Sequence, residues 1–378
     1  MNVQELLSQF QKIAQNPTAQ KDAYIAQGKK VVLTAPVYTP EEIIHSMGLV
    51  PMGAWGGDLE LRDAKQYFPA FICSIAQSIV ELGMRGVYDG ASAIVIPSLC
   101  DSLKVLGQNW KCAVPSIPFI PMTYPQNRKP DYALDFIAAG YRRVISDLEN
   151  ATGVTFDEEK LSESIKVYNA HNVAMRLLSK TLATHPEITA DQRSAIFKSA
   201  WFMPKEEHTA LVMKLLAKLD AVSSAGTKIP VTVTGILTDA PGLTALLDEY
   251  GFQVAADDVA AESRQYRVDT PAEGTPLERL ARKFQAMDHC SVLYDADKKR
   301  VEYIVDLAKN SGSKAVIMVL TKFCDPEEFD YPLIKKACEA AGLPLVQIEV
   351  DRQMVNYEQA RTILETLRDA LASATLNF

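Results

Sequence analysis

The sequence predicts an α/β protein with two similar doubly wound parallel-sheet domains and a helical segment between them. Short apolar runs rich in β-branched residues, such as 93–97 and 315–320, are typical of buried parallel strands. Helical patterns alternate with these runs near both ends of the chain, which favours crossover helices packed on a parallel sheet. We therefore predict an N-terminal helix and first α/β domain at 1–130, a helical segment at 131–222, and a second α/β domain at 223–378.

The first domain begins with an amphipathic helix at 2–15, whose apolar residues share one face. A second helix is predicted to start with a capping box, in which Thr39 is the N-cap and Glu42 the third helical residue. Gly48 suits the position just past the end of that helix. The predicted strands of this domain are 30–35, 49–57, 93–97 and 116–122.

Beyond residue 130 only helical spacing continues, until a flexible connector at 223–228 restores the alternating pattern. The helices of the middle segment are predicted at 132–148, 158–184, 190–202 and 205–219. In the second domain the strands are predicted at 229–237, 253–256, 291–294, 315–320 and 345–350, and the helices at 243–250, 277–287, 301–311, 331–341 and 357–371.

Three cysteines lie far apart in the chain but in similar local contexts. Cys100 and Cys324 each follow a predicted buried strand after a short loop, and an aspartate comes next in both places. In open α/β sheets, functional groups gather just past the carboxyl ends of the strands. Cys73 follows Pro69 by four residues and is predicted to lie in the first turn of a helix. We expect the three cysteines to face one another across a cleft between the two domains.

The residues after these cysteines predict helix starts. Asp325 is a good N-cap, with Pro326 and Glu328 following it, and Asp101 or Ser102 can cap the helix beyond Cys100. Helix starts favour a thiolate over a thiol, and the thiolate is the form that a metal or an iron–sulfur cluster requires. The pattern therefore indicates a three-cysteine site. Because the chain has no CxxC motif and buried cysteines are common, the pattern leaves a purely structural role open.

The other cysteines have weaker contexts. Cys338 lies among apolar residues of a predicted helix and is expected in the core. Cys290 precedes a predicted strand, and Cys112 is placed in a loop after Trp110. We interpret both as structural or incidental.

Two further stretches leave alternatives open. The glycine-rich segment 53–57 lacks the spacing of a dinucleotide or phosphate loop, and either brings the backbone close to a ligand or forms a plain tight turn. The charged group after residue 256 (Asp257, Asp258, Glu262 and Arg264) either supports a nearby site or forms an ordinary ion pair of Arg264, which we slightly prefer.

Composition excludes several classes of protein. The net charge of −8 and the lack of a basic run argue against a nucleic-acid surface. No apolar run approaches the roughly 18 residues of a membrane span. Six cysteines in a long chain that lacks a secretion signal do not indicate a disulfide framework. We expect a cytoplasmic protein in a reducing compartment.

Several segments together resemble a known family. They are 37–44, 71–78, 99–103, 108–111 and 322–332, and the likeness extends over essentially the whole chain. In these segments the chain resembles the 2-hydroxyacyl-CoA dehydratases, in particular the D component of 2-hydroxyglutaryl-CoA dehydratase, and most strongly its β subunit.

The resemblance implies a heterodimer of related α and β subunits, each with a [4Fe–4S] cluster on three cysteines. The matching positions here are Cys73, Cys100 and Cys324, with a non-protein ligand on the fourth iron. It also implies an ATP-dependent iron–sulfur activator that supplies one electron. Water then leaves an (R)-2-hydroxyacyl-CoA through a ketyl radical to give a 2-enoyl-CoA, as in amino-acid fermentation. Because such acyl-CoA substrates are handled mainly at the α subunit, we expect this chain to relay the electron, and we assign it no catalytic side chain.

Two other functions stay open at this point. A subunit of a benzoyl-CoA reductase-type enzyme would share the same ancestry and architecture. A non-catalytic iron–sulfur protein for cluster assembly or electron transfer is the second, although the missing phosphate loop argues against the ATP-driven activator itself. Flavin is left open as an added cofactor, without support from any motif.

Overall fold

The computed structural model describes residues 1–219 and 228–375 and contains two four-stranded parallel sheets. The first has the strand order β2-β1-β3-β4, and the second has the order β6-β5-β7-β8. The predicted α/β class with two similar parallel sheets is thus confirmed. The connector predicted at 223–228 lies outside the described residues except for Lys228.

The eight strands are β1 (Val31–Thr34), β2 (Val50–Gly53), β3 (Ala93–Pro97), β4 (Phe119–Met122), β5 (Ile229–Gly235), β6 (Phe252–Val259), β7 (Ala315–Thr321) and β8 (Leu345–Val350). The α-helices are α1 (Val3–Gln15), α2 (Pro17–Ala26), α3 (Glu41–Ser46), α4 (Ser74–Met84), α5 (Asp101–Ala113), α6 (Tyr132–Thr152), α7 (Glu158–Leu182), α8 (Ala190–Ser199), α9 (Lys205–Leu219), α10 (Pro241–Glu249), α11 (Pro276–Ala286), α12 (Arg300–Asn310), α13 (Asp325–Ala340) and α14 (Glu358–Thr375).

Both sheets have the same doubly wound topology. The first strand of each half is central, the second strand pairs on one side of it, and the third pairs on the other. Thr34 of β1, for example, pairs with Gly53 of β2 and Val95 of β3. In such sheets the strand order reverses beside the central strand, and ligand sites lie at the carboxyl ends of the strands there.

The helices form layers on the faces of the sheets. One apolar core joins a face of each sheet to α1 and the middle helices, so the two halves share packing. On the other face of the first sheet α11 packs beside α6, with the Phe284 ring stacked 3.8 Å from that of Tyr124. Among the described residues, no helix is both long enough and apolar enough to cross a membrane.

Two local predictions away from the cysteines are wrong. Residues 291–294 form turns instead of a strand, because the Leu293 N–H bonds to the Cys290 carbonyl at 3.1 Å and Arg128 donates to the Tyr294 carbonyl at 2.7 Å. The capping box at Thr39 is also absent. The Thr39 hydroxyl donates to a carbonyl of the preceding loop at 2.8 Å, and the helix begins at Glu41.

Candidate metal centre

Each of the three cysteines lies immediately before a helix. Cys73 precedes α4, Cys100 precedes α5 and Cys324 precedes α13, and all three have the non-helical backbone angles of an N-cap residue. The caps that we predicted after Cys100 and Cys324 are therefore placed too late, and Cys73 lies before the first turn instead of within it. As a result, each sulfur is near the unpaired N–H groups at a helix start.

Cys100 and Cys324 occupy equivalent places in the two halves. Each follows the end of its strand by three residues, since β3 ends at Pro97 and β7 at Thr321. Both strands lie next to the central strand of their sheet. The repeated topology thus puts one cysteine at the carboxyl edge of each sheet.

The three half-buried sulfurs influence one another electrostatically. Burial raises the pKa of the Cys324 thiol well above its ordinary value, and negative charge at Glu327, Cys73 and Cys100 raises it further. Burial raises the pKa of Cys100 to about 12, with a contribution from Cys73. Charge at Cys73 thus raises the pKa of both Cys100 and Cys324.

Groups at the helix starts oppose this effect. Burial raises the pKa of the Cys73 thiol, while the N–H groups of Ala76 and Ile75 and the Ser102 hydroxyl lower it. The sulfur makes no capping hydrogen bond of standard geometry with α4, so these groups act mainly as oriented dipoles. Burial raises the thiol pKa more than the helix-start groups lower it, so the thiols are protonated. A bound cation would reverse the balance, because its positive charge favours thiolates.

Three thiolate donors at helix starts fit an iron–sulfur cluster in chemical terms. Within 1–219 and 228–375, no three Cys, His, Asp or Glu side chains are grouped around one metal-ion position. A polynuclear cluster has a different requirement, because its cysteine ligands bind separate irons and need not surround one metal-ion position. The assignment of Cys73, Cys100 and Cys324 as ligands stays a prediction.

The charged group after residue 256 divides into two buried ion-pair networks. Asp258 pairs with Arg264 at 3.0 Å and with Arg300 at 2.8 Å. Burial alone would raise the pKa of Asp258, but these guanidinium groups hold it far below the usual range. Asp257 and Glu262 instead pair with Arg193 of α8. Arg264 thus forms the ion pair that we preferred, and it also contacts Glu327 of α13 at 3.4 Å; the alternative, support of a nearby site, stays a prediction.

The remaining cysteines lie in three different environments. Cys338 is fully buried in the core beside β7, as predicted. Cys290 is buried and accepts a hydrogen bond from the Arg264 guanidinium at 3.4 Å. Cys112 is exposed in the last turn of α5, so its predicted position in a loop is wrong. The helix extends past Trp110, whose backbone carbonyl accepts the Val114 N–H at 2.8 Å.

The glycine-rich turn packs closely against Trp201, and its approach to a ligand stays a prediction. A Cβ at Gly53 would lie 2.8 Å from the Cβ of Trp201, so close packing requires glycine there. The same turn lines a cavity of about 480 Å³, together with Trp55, Tyr88 and Lys21. The cavity is within the size range of small-molecule sites, and most of its wall is apolar.

Comparison with known proteins identifies the family. Residues 36–371 match the family model described as 2-hydroxyglutaryl-CoA dehydratase, D-component. The chain belongs to this family. It is 42% identical to the (R)-phenyllactyl-CoA dehydratase beta subunit of Clostridium sporogenes, over 98% of this chain and 100% of that protein. It is 39% identical to the lactoyl-CoA dehydratase subunit beta of Anaerotignum propionicum, over 98% and 99% of the two chains.

A more distant relative is a benzoyl-CoA reductase subunit of Thauera aromatica, 24% identical over 91% of each chain. The relatives at 39% and 42% identity are named dehydratases, which are hydro-lyases, and the predicted membership in the D-component family is confirmed. The family match includes all three N-capping cysteines.

Sequence reasoning missed several residues that surround these cysteines in this D-component protein. Ser102 acts on Cys73, although it was considered only as a helix cap. Glu327 and Arg300 pair behind Cys324 at 2.8 Å. The Cys-Asp-Ser segment at 100–102 held a signal for Ser102, but no local pattern links Arg300 to a residue 27 positions away.

Proposed function

We propose that this chain is the β subunit of a heterodimeric (R)-2-hydroxyacyl-CoA dehydratase and that Cys73, Cys100 and Cys324 hold a [4Fe–4S] cluster. The observation that carries the proposal is the set of three N-capping cysteines in a chain whose full-length relatives are named dehydratase beta subunits. When bound, the cluster supplies one-electron transfer. A non-protein ligand completes the fourth iron.

The residues of this chain support such a role through charge and burial. The N–H dipoles of α4, α5 and α13 favour the thiolates that ligation requires. Burial of the sulfurs restricts access of water, and this helps to set the potential of a cluster. The proposed role is relay of one electron from an ATP-dependent iron–sulfur activator. Elimination of water through a ketyl radical, which yields the 2-enoyl-CoA, takes place mainly at the α subunit.

Exposed aromatic side chains flank the cysteines and suit contact with that homologous α subunit. Phe71, two residues before Cys73, is 68% exposed, and Phe329, in α13 beyond Cys324, is 75% exposed. Large exposed apolar side chains around one site are typical of a protein interface. Phe329→Ser should therefore reduce the amount of α subunit that co-purifies, whereas Met213→Ser, on the distant α9, should not. Equal co-purification of both variants would refute this interface.

Iron analysis tests the cluster itself. Purified without oxygen, the chain should be brown and contain about four irons. Cys324→Ser should lose cluster iron and dehydratase activity, whereas Cys338→Ser should retain both, because Cys338 lies in the core. Iron lost from Cys338→Ser but kept by Cys324→Ser would show that the ligand assignment is wrong.

A second candidate function is that of a subunit in a benzoyl-CoA reductase-type enzyme. The relative from Thauera aromatica supports it, although at lower identity than the dehydratase subunits. The two functions differ in electron balance. Dehydration of a 2-hydroxyacyl-CoA returns the electron at the end of each cycle, so the donor is needed only for the first turnover. A reductase consumes donor electrons with every aromatic thioester. The reductase would be favoured if the donor were consumed stoichiometrically with benzoyl-CoA and no 2-enoyl-CoA were formed by dehydration.

A further inference from the structure

Glu327 is a fully buried carboxylate in the first turn of α13, three residues after Cys324. Its backbone N–H donates to the Cys324 carbonyl at 3.0 Å, so its position is tied to that of the cysteine. One carboxylate oxygen accepts the Ser291 hydroxyl at 2.6 Å and the Arg264 guanidinium at 3.4 Å, and the other accepts Arg300 at 2.8 Å. A buried carboxylate without such partners would be strongly destabilising.

The charge of Glu327 acts directly on Cys324. Glu327 is the third helical residue after the N-cap Cys324, and the side chains at these two positions face each other at a helix start. The arginine that balances the Glu327 charge, Arg300, is held on its other side by Asp258 at 2.8 Å and Asp330 at 3.0 Å. Arg300 is therefore held by three carboxylates and stays fixed against that of Glu327.

We infer that Glu327 is a positioning residue for the electron-transfer site: its buried negative charge, fixed by Arg300, Arg264 and Ser291, lowers the reduction potential at Cys324. The inference rests on the proposed function. A negative charge near a cluster raises the free energy of its reduced form, because reduction adds an electron to the same region. In this arrangement the β subunit keeps the relayed electron strongly reducing, which a thioester acceptor requires.

The test is a redox titration of the oxygen-free complex of this chain with its α subunit, in which electron paramagnetic resonance follows the cluster held by this chain. Glu327→Gln removes the negative charge at nearly constant shape, and the midpoint potential should shift to a more positive value. Arg300→Met leaves the carboxylate less neutralised, and the potential should shift the other way. Glu328→Gln is the matched control, since its exposed side chain lies one residue further along the same helix, and it should leave the potential unchanged.

The opposite signs separate this role from a structural one. Loosened packing or added water would move both variants in the same direction, and that result, or an unchanged potential in Glu327→Gln, would overturn the inference. Should Glu327→Gln fail to fold, Ser291→Ala removes one hydrogen bond to the carboxylate without changing any charge. It should shift the potential to a more negative value, and no shift would again contradict the inference. A wild-type complex without iron in this chain would instead refute the proposed function.

Discussion

The backbone N–H of Arg352 donates to the Ser74 hydroxyl at 3.0 Å, and so joins the end of β8 to the start of α4. The Arg352 side chain adds ion pairs at 3.0 Å to Asp58 and to Asp239. One buried residue of the second half of the chain thus contacts the helix start that carries Cys73. The relative position of the two sheets, and of their cysteines, depends on contacts of this kind.

Replacement of Arg352 by alanine should destabilise the fold in a pH-dependent way. Burial alone would raise the pKa of Asp239, but Arg352 and Lys198 hold it well below its usual range. The stabilisation is therefore present above the unfolded pKa of about 3.9 and is lost as the pH falls below it. We expect Arg352→Ala to cost about 3–5 kcal/mol at pH 7 and less below about pH 4.

Denaturant titrations at pH 7 and pH 3.5 would measure this difference. Arg62→Ala, which removes an ion pair between two exposed side chains, is the control and should change little at either pH. A cost for Arg352→Ala that is equal at both pH values would show that charge pairing does not explain it.

The iron-free chain should show unequal thiol reactivity. Burial raises the pKa of Cys100 to about 12 and that of Cys324 well above its ordinary value. Because the thiolate is the reactive form, iodoacetamide at pH 8 should modify the exposed Cys112 first and Cys100 far more slowly. The rate at Cys100 should rise about tenfold per pH unit up to about pH 12. Peptide mass spectrometry over time would detect this order, and equal rates at neutral pH would contradict it.

Two buried histidines should make the fold sensitive to acid. The Nε2 atom of His171 lies 3.0 Å from Nδ1 of His208, and burial lowers the pKa of His208 to about 3. Burial and His208 also lower the pKa of His171 well below its ordinary value. Below about pH 6.5 the unfolded chain takes up protons that the folded chain does not, so stability falls as the pH falls. Each histidine should contribute about 1.4 kcal/mol per pH unit.

Urea titrations between pH 7 and pH 4 would test the pair. His208→Gln should reduce the slope of the free energy of unfolding against pH by about 1.4 kcal/mol per pH unit. The variant should also be less stable than the wild type at pH 7. His45→Gln controls for loss of a histidine from a half-buried site on α3. An unchanged slope in His208→Gln would argue against neutral burial of this side chain.

Gly56 should tolerate substitution less than Gly153. Both have positive φ angles, 73° and 68°. A Cβ at Gly56 would lie 2.0 Å from the Ser78 hydroxyl, whereas nothing lies within 4 Å of one at Gly153. Gly153→Ala should therefore cost about 1 kcal/mol for backbone strain alone. Gly56→Ala should cost about 2–4 kcal/mol, because overpacking is added. Thermal unfolding of both variants would compare their stabilities. Equal losses of stability would show that the turn around Gly56 relaxes to make room for the Cβ.

Much of the fold followed from local patterns. The strands β3 and β8 have the predicted bounds, as does the helix α9, because buried strands and amphipathic helices have clear apolar periods. The segment 291–294 was ambiguous in the same terms, since a short apolar run suits a strand or a buried turn. Its conformation depends on Arg128, more than 150 residues earlier in the chain.

For the candidate site, the sequence predicted that Cys100 and Cys324 lie at helix starts just past strand ends, because strand, loop and helix signals are local. The charges that surround them follow from long-range packing instead. Arg300, Glu327 and Arg352 act through partners far away in the chain, and the low dielectric of the interior gives these distant pairs their strength. No local pattern records such pairs, because they form only once distant segments of the chain pack together.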